Sequence, residues 1–265
     1  MNIIVCLKRV PDTGARLEID KDGLELKPDF PWILNPYDEF AIEEAIRIKE
    51  RFGGNVTLIT VGPEGGEEVL KRGVATGADF EVYVKDPRLR GLDEINIARV
   101  LSAAISPIPF DMILCGKQGT DSDSGVVGGA LAGMLDIPFV SAVKRLNILP
   151  EERRVQAFRE VEGGTEEGGT EVVDCPLPAL FTTHKGLNEP RYPTLSGIMR
   201  AKKQEIRYLD LNSIGIAPGH FSNRNFMRVG LSYPLLNRRG VILKGDIKRQ
   251  VQEAVMFLKD EVRIL

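Results

Sequence analysis

The chain reads as an α/β protein: a doubly wound, Rossmann-like parallel sheet, with a small antiparallel hairpin element and an extended C-terminal arm. Three observations predict it. The opening run Asn2-Ile3-Ile4-Val5-Cys6-Leu7 is continuously β-rich and apolar, as a strand covered on both faces must be. From about residue 39 to 143, short β-type runs alternate with helix-length amphipathic ones, the pattern of βαβ units joined by right-handed crossovers. The stretch from Asp111 to Met134 then reads as strand, glycine-rich polar turn and helix.

Each element has its local reason. Between Lys8 and Trp32, two short runs, Arg16–Ile19 and Leu24–Leu26, flank Asp20-Lys21-Asp22-Gly23, a hairpin signal. Asn35-Pro36-Tyr37-Asp38 leads into a helix from about Glu39 to Phe52, which Gly53-Gly54 ends. Val56–Val61, Glu81–Val84, Met112–Leu114 and Phe139–Val143 predict strands; Glu67–Ala75, Glu94–Ala104 and Ser124–Leu135 predict the helices between them. Lys144–Ile148, Val155–Val161 and Glu171–Val173 predict antiparallel strands joined by polar turns, one of them Glu162–Gly169. Ala179–Thr183 predicts a strand returning to the main sheet. From His184 to Asp246 there is little periodicity, and a helix resumes only at Ile247–Leu258, behind Gly245-Asp246. These readings divide the chain into an α/β domain, 1–183, with its hairpin region at about 144–173, and an arm, 184–265, that wraps a partner.

Composition narrows the function classes. At 265 residues and 43% apolar, the chain can bury a large core. A net charge of -3 and a single Trp argue against a general nucleic-acid binder. The absence of an apolar run long enough to span a bilayer predicts a chain that is not membrane-embedded. Three widely spaced cysteines, Cys6, Cys115 and Cys175, make no metal motif and predict reduced thiols in a cytoplasm. The two histidines, His184 and His220, have no evident nucleophile to partner, which argues against a hydrolytic or adenylating enzyme.

The candidate ligand site is the segment Gly116-Lys117-Gln118-Gly119-Thr120-Asp121-Ser122-Asp123-Ser124-Gly125-Val126-Val127-Gly128-Gly129. Unpartnered N–H groups at a helix start attract anions, and the helix dipole adds roughly half a positive charge. The segment is neither a dinucleotide fingerprint nor a P-loop, since Lys117 precedes the helix. An ordinary glycine-rich connection with a Ser or Asp N-cap fits the same residues. Its position favours a ligand: it follows a strand end, as do the loops after Leu7 and Val61, where doubly wound sheets bind. Asp121 and Asp123 would repel phosphate and read as caps or outward-facing groups.

Within the arm, Leu187-Asn188-Glu189-Pro190-Arg191-Tyr192-Pro193-Thr194-Leu195-Ser196-Gly197-Ile198-Met199-Arg200-Ala201-Lys202-Lys203 resembles the signature segment of the β subunit of electron transfer flavoproteins. Val5-Cys6-Leu7-Lys8-Arg9-Val10-Pro11-Asp12, Leu34-Asn35-Pro36, Gly73-Val74-Ala75-Thr76-Gly77-Ala78-Asp79 and Gly116-Lys117-Gln118 are similar to the same family. So is Arg159-Glu160-Val161-Glu162-Gly163-Gly164 followed by Pro178-Ala179, and all occur in the family's order.

The resemblance implies a heterodimer with an α subunit that carries FAD. The pair takes electrons from dehydrogenases, typically acyl-CoA dehydrogenases, and hands them to a membrane or soluble oxidoreductase, with no substrate turnover by the β chain. It implies a fold similar to that of adenine-nucleotide-binding α/β proteins, with AMP in a pocket of the β subunit, or a second FAD there in bifurcating members. Carried over, that pocket is Cys6, Asn35, Pro36, Tyr37, Asp38, Val61, Gly116, Lys117, Gln118, Ser124, Gly125, Val126, Val127 and Gly128. Thr13 and Tyr37 match segments that approach the α-subunit flavin. Leu195 matches a leucine that anchors a dehydrogenase, within Asn188, Glu189, Pro190, Arg191, Tyr192, Arg200, Lys202 and Lys203.

Two departures stand out. Val127 replaces the Thr usual in AMP binders and is similar to bifurcating members, and Thr165-Glu166-Glu167-Gly168-Gly169 resembles an insertion that lengthens a hairpin tip. The arm's motifs favour AMP. An AMP-sensing regulator would share the fold but need neither the signature segment nor an α partner.

Overall fold

β1 (Asn2–Leu7) is an interior strand of a nine-stranded sheet, and its side chains divide between two cores. Ile3, Val5 and Leu7 face one layer and Ile4 and Cys6 the other, because successive strand residues point to opposite faces. The computed structural model describes residues 1–27, 29–161, 169–217, 219–221, 225, 228–234, 240 and 242–262.

β2 (Arg9–Pro11) pairs antiparallel with β3 (Trp32–Leu34) outside the main sheet, a ladder the sequence reading did not foresee. The foreseen hairpin within it reduces to a single bridge, Ile19 to Leu26. Next come α1 (Pro36–Phe52), β4 (Asn55–Gly62), α2 (Gly66–Thr76) and β5 (Phe80–Lys85) on one side of β1. The chain then crosses through α3 (Glu94–Ile105) to β6 (Met112–Gly116) on the other side, followed by α4 (Val126–Leu135). α1 and α2 cover the Val5 face, α3 and α4 the Cys6 face. Gly53, at φ 72°, ends α1 where a side chain would be strained.

β7 (Phe139–Leu149) corrects the sequence reading: Phe139–Val143 and Lys144–Ile148 form one strand. It pairs parallel with β10 (Ala179–Thr183) over its first residues and antiparallel with β8 (Arg154–Val161) over the rest. Ala142, at φ 55°, marks the register shift between them, and its N–H donates to Thr182 Oγ1 at 2.9 Å. With β9 (Gly169–Pro176), the antiparallel strands extend the main sheet, whose order is β11-β5-β4-β1-β6-β10-β7-β8-β9. β10 returns to the sheet as foreseen, between β6 and β7. Residues 162–168, which hold most of the acidic turn and its repeat, lie outside the described residues.

α5 (Leu195–Lys203) and β11 (Arg207–Leu209) occupy the stretch that showed little periodicity. β11 adds parallel to β5 and α5 packs on α2. One compact unit runs from Met1 to Val229 and a second from Gly230 to Leu265, whereas the division drawn from sequence falls at residue 183. The second unit contains α6 (Ile247–Phe257), N-capped by Asp246, which accepts from the Arg249 N–H at 3.0 Å.

Candidate functional site

The carboxyl ends of β1, β4 and β6 open into a cleft of about 310 Å³ on the α3/α4 side of the sheet. This is the end of a doubly wound sheet, beside the reversal of strand order, where ligands bind. The volume lies within the usual range of small-ligand sites. Of the residues carried over, Cys6, Asn35, Asp38, Val61, Gly116, Lys117, Gln118, Ser124, Gly125, Val127 and Gly128 all line it. Pro36, Tyr37, Val126 and Thr13 do not. Pro36 opens α1, where its missing N–H has no intrahelical acceptor to lose. The Tyr37 ring lies 5.9 Å from the His184 ring, and its carbonyl accepts from Thr183 Oγ1 at 2.9 Å. Val126 is partly exposed on the first turn of α4, and Thr13 is exposed in the loop after β2.

α4 begins at Val126, two residues later than the sequence suggested, behind Gly125 at φ -99°, ψ 17°. Neither Ser nor Asp caps it. Among the described residues, no side chain accepts from its first-turn N–H groups, and that turn holds no acid. The helix start therefore offers unused donors and positive dipole to the cleft. Gly128 brings it close to the sheet: a Cβ there would stand 2.6 Å from Thr182 Cγ2 and 3.2 Å from Cys115 Sγ. The two acids nearby are already engaged. Asp121 accepts from Lys8 Nζ at 2.5 Å, and Asp123, at φ 51°, accepts from Gln118 Nε2 at 2.8 Å.

A buried pair at the start of α1 fixes the loop that forms the floor. Asn35 Nδ2 donates to the Gln118 carbonyl at 2.9 Å, and its Oδ1 accepts from the Thr120 N–H at 3.2 Å. Asp38 accepts from the Lys8 N–H at 2.6 Å, Asn35 Nδ2 at 2.9 Å and the Gly116 N–H at 3.1 Å. One carboxyl thus ties the end of β1 to the end of β6. Burial pushes Asp38 up to about 7, against the pull of those three donors. Burial also pushes the Cys6 and Cys115 thiols well up, so both serve as slim apolar walls and not as nucleophiles.

Sequence reasoning missed Lys8, Leu92, Glu94, Ile97, Leu101 and Arg228, all of which line the cleft. Lys8 directly follows a strand end and was the one with a readable signal. The α3 residues could be read only as a helix face, since periodicity does not say which strand end that face covers. The arrangement suits a nucleotide: apolar Val61, Ile97 and Leu101 for a base, free amides and cations for phosphate.

The segment 187–203 lies elsewhere on the same unit, folded against α1 and α2. Asn188 Nδ2 donates to the Phe40 carbonyl at 3.0 Å and to Glu44 Oε2 at 2.9 Å. Arg191 clasps Glu43 at 2.8 and 3.0 Å and Glu50 at 2.6 and 3.0 Å. Arg200 donates to the Val74 and Ala78 carbonyls at 2.6 and 3.2 Å, near the end of α2. These groups therefore hold the segment in place. Tyr192 and Leu195 are 88% and 79% exposed, with Ile198 and Met199 beside them in sequence and also exposed. Glu189, Lys202 and Lys203 are exposed too, while Pro190 is partly covered.

Among the described residues, no His/Cys/Asp/Glu cluster could hold a metal ion, and no helix is long and apolar enough to cross a membrane.

Fold and cleft together define a Rossmann-like α/β chain with a ligand-sized cleft at its strand ends. The electron transfer flavoprotein domain family matches residues 28–213. Over its whole length the chain is 36% identical to the electron transfer flavoprotein subunit β of Bacillus subtilis, all of which is covered. It is 36% identical to the subunit β of Thermoanaerobacterium thermosaccharolyticum, over 96% of each chain. It is also 37% identical to subunit CarD of the caffeyl-CoA reductase-Etf complex of Acetobacterium woodii, over 82% of this chain and 81% of that one. The chain belongs to the electron transfer flavoprotein β-subunit family.

Proposed function

We propose that the chain binds AMP in the strand-end cleft. In this reading it pairs with an α subunit whose FAD it helps to house, and carries electrons from an acyl-CoA-type dehydrogenase to a downstream oxidoreductase, in the cytoplasm. The observation that carries the nucleotide reading is the uncapped start of α4 on a cleft that also offers Lys117. Bound FAD would supply the redox chemistry. The chain's own residues position and enclose: Asp38 and Asn35 hold the floor, Gly128 sets the helix close to the sheet, and Tyr37 and Thr13 lie outside the cleft, available to the α-subunit flavin. The exposed Leu195, in a segment anchored by Arg191 and Arg200, suits a small apolar hot spot for a dehydrogenase.

Val127 favours a second reading, in which the cleft holds the adenosine end of a second FAD, and the similarity to a caffeyl-CoA reductase-Etf subunit accords with it. The test is co-purification with the α subunit, denaturation, and quantitation of released cofactors. One FAD and one AMP per heterodimer establishes the first reading, and two FAD without AMP establishes the second. No stable α complex, or a complex free of nucleotide, would sink both.

A further inference from the structure

Arg228 lines the cleft although it lies a hundred residues beyond Gly128, the nearest other lining residue in sequence. The chain is fixed nearby at Asn225, whose N–H donates to Asp93 Oδ2 at 2.7 Å and whose side-chain amide donates to Asp93 Oδ1 at 3.3 Å. Asp93 also caps α3 by accepting from the Asn96 N–H at 2.8 Å, so Asn225 is anchored to the helix that forms one wall. Arg228 itself makes a long contact, Nη1 to the Leu24 carbonyl at 3.4 Å, and is otherwise exposed.

Of the cleft's other cations, Lys117 likewise makes no ion pair among the described residues, whereas Lys8 does. Lys8 is matched by Asp121 at 2.5 Å, so little of its charge is left for a ligand. Among the described residues, Arg228 has no carboxylate within 4.0 Å, and it shares the cleft with the uncapped start of α4. A guanidinium presents a planar fork that fits phosphate oxygens in pairs, and it stays charged at any working pH.

We propose that Arg228 ligates the phosphate of the nucleotide in this cleft, so that nucleotide occupancy holds the chain where it leaves the α/β unit at Val229. This rests on the nucleotide reading of the cleft. It assigns the phosphate contact to a residue outside the family motifs in the sequence, and it makes nucleotide affinity and the order of that exit point two readouts of one contact.

The test uses the full chain co-purified with its α subunit and stripped of endogenous nucleotide. AMP and adenosine are titrated calorimetrically into the wild type, Arg228→Ala and Arg228→Lys. The expected result is a loss of AMP affinity of at least about tenfold in Arg228→Ala, with partial recovery in Arg228→Lys. Adenosine, which lacks the phosphate, should bind the wild type and Arg228→Ala within about twofold of each other. AMP should also slow tryptic cleavage at the Arg228–Val229 bond in the wild type, and adenosine should not. Arg228→Ala that binds AMP within twofold of wild type overturns the proposal, as does an equal loss of AMP and adenosine. A wild type that binds neither overturns the nucleotide reading itself.

Discussion

Asp38→Asn tests whether burial or hydrogen bonding governs the carboxyl under the cleft. Two effects oppose each other at this side chain, which is 3% exposed: desolvation favours the protonated form, and three donors favour the ionised one. Burial prevails, raising the group from its ordinary 3.8 to about 7. The folded chain then holds a proton that the unfolded chain has lost throughout that interval. Asp38 therefore contributes stability in full below the ordinary carboxylate range and loses it as pH rises through about 7.

The slope is about 1.4 kcal/mol per pH unit, or roughly 2 kcal/mol between pH 5 and pH 7. Asparagine resembles the protonated acid in shape and in having one acceptor and a donor, but it does not titrate. Urea unfolding of wild type and variant at several pH values isolates the group, since all other titrations cancel in the difference. The variant's amide nitrogen must face one of the three N–H donors, which adds a pH-independent offset, and on top of it the wild type should lose about 2 kcal/mol relative to the variant between pH 5 and pH 7. If the difference between the two does not change over that range, the donors outweigh burial and the reasoning fails.

Other outcomes follow from packing and pairing. Gly128→Ala puts a methyl 2.6 Å from Thr182 Cγ2 and should cost about 1–3 kcal/mol, read as a lowered denaturation midpoint. Arg191→Ala strands the buried Glu43 carboxylate. Because the arginine is over a third exposed, the loss should be only about 1–2 kcal/mol, with faster amide exchange across residues 187–194. Leu195→Ala, 79% exposed, should leave stability within about 0.5 kcal/mol while weakening capture of a partner dehydrogenase by surface plasmon resonance.

Much of the architecture was legible because local pattern and tertiary environment agree. The apolar run Asn2–Leu7 could only be a doubly covered strand, and Ala179–Thr183 could be read as returning to the sheet because every residue in it is buried. β7 was split in two because its burial pattern changes where it stops facing β10 and starts facing β8. α5 and β11 were illegible for a related reason. The α5 helix presents mostly exposed residues, and three-residue β11 is a strand only because β5 offers it an edge.

The sequence by itself determined the winding, the glycine-rich turn at the end of β6 and the motifs of the segment 187–203, since these depend on residues close together in the chain. Only the tertiary structure decided what the motifs do. It turned Arg191 and Arg200 inward as anchors, set Asp38 between Lys8 and Gly116, and brought Ile97, Leu101 and Arg228 to one cleft. Those roles depend on neighbours distant in the chain, which local periodicity and propensity do not encode.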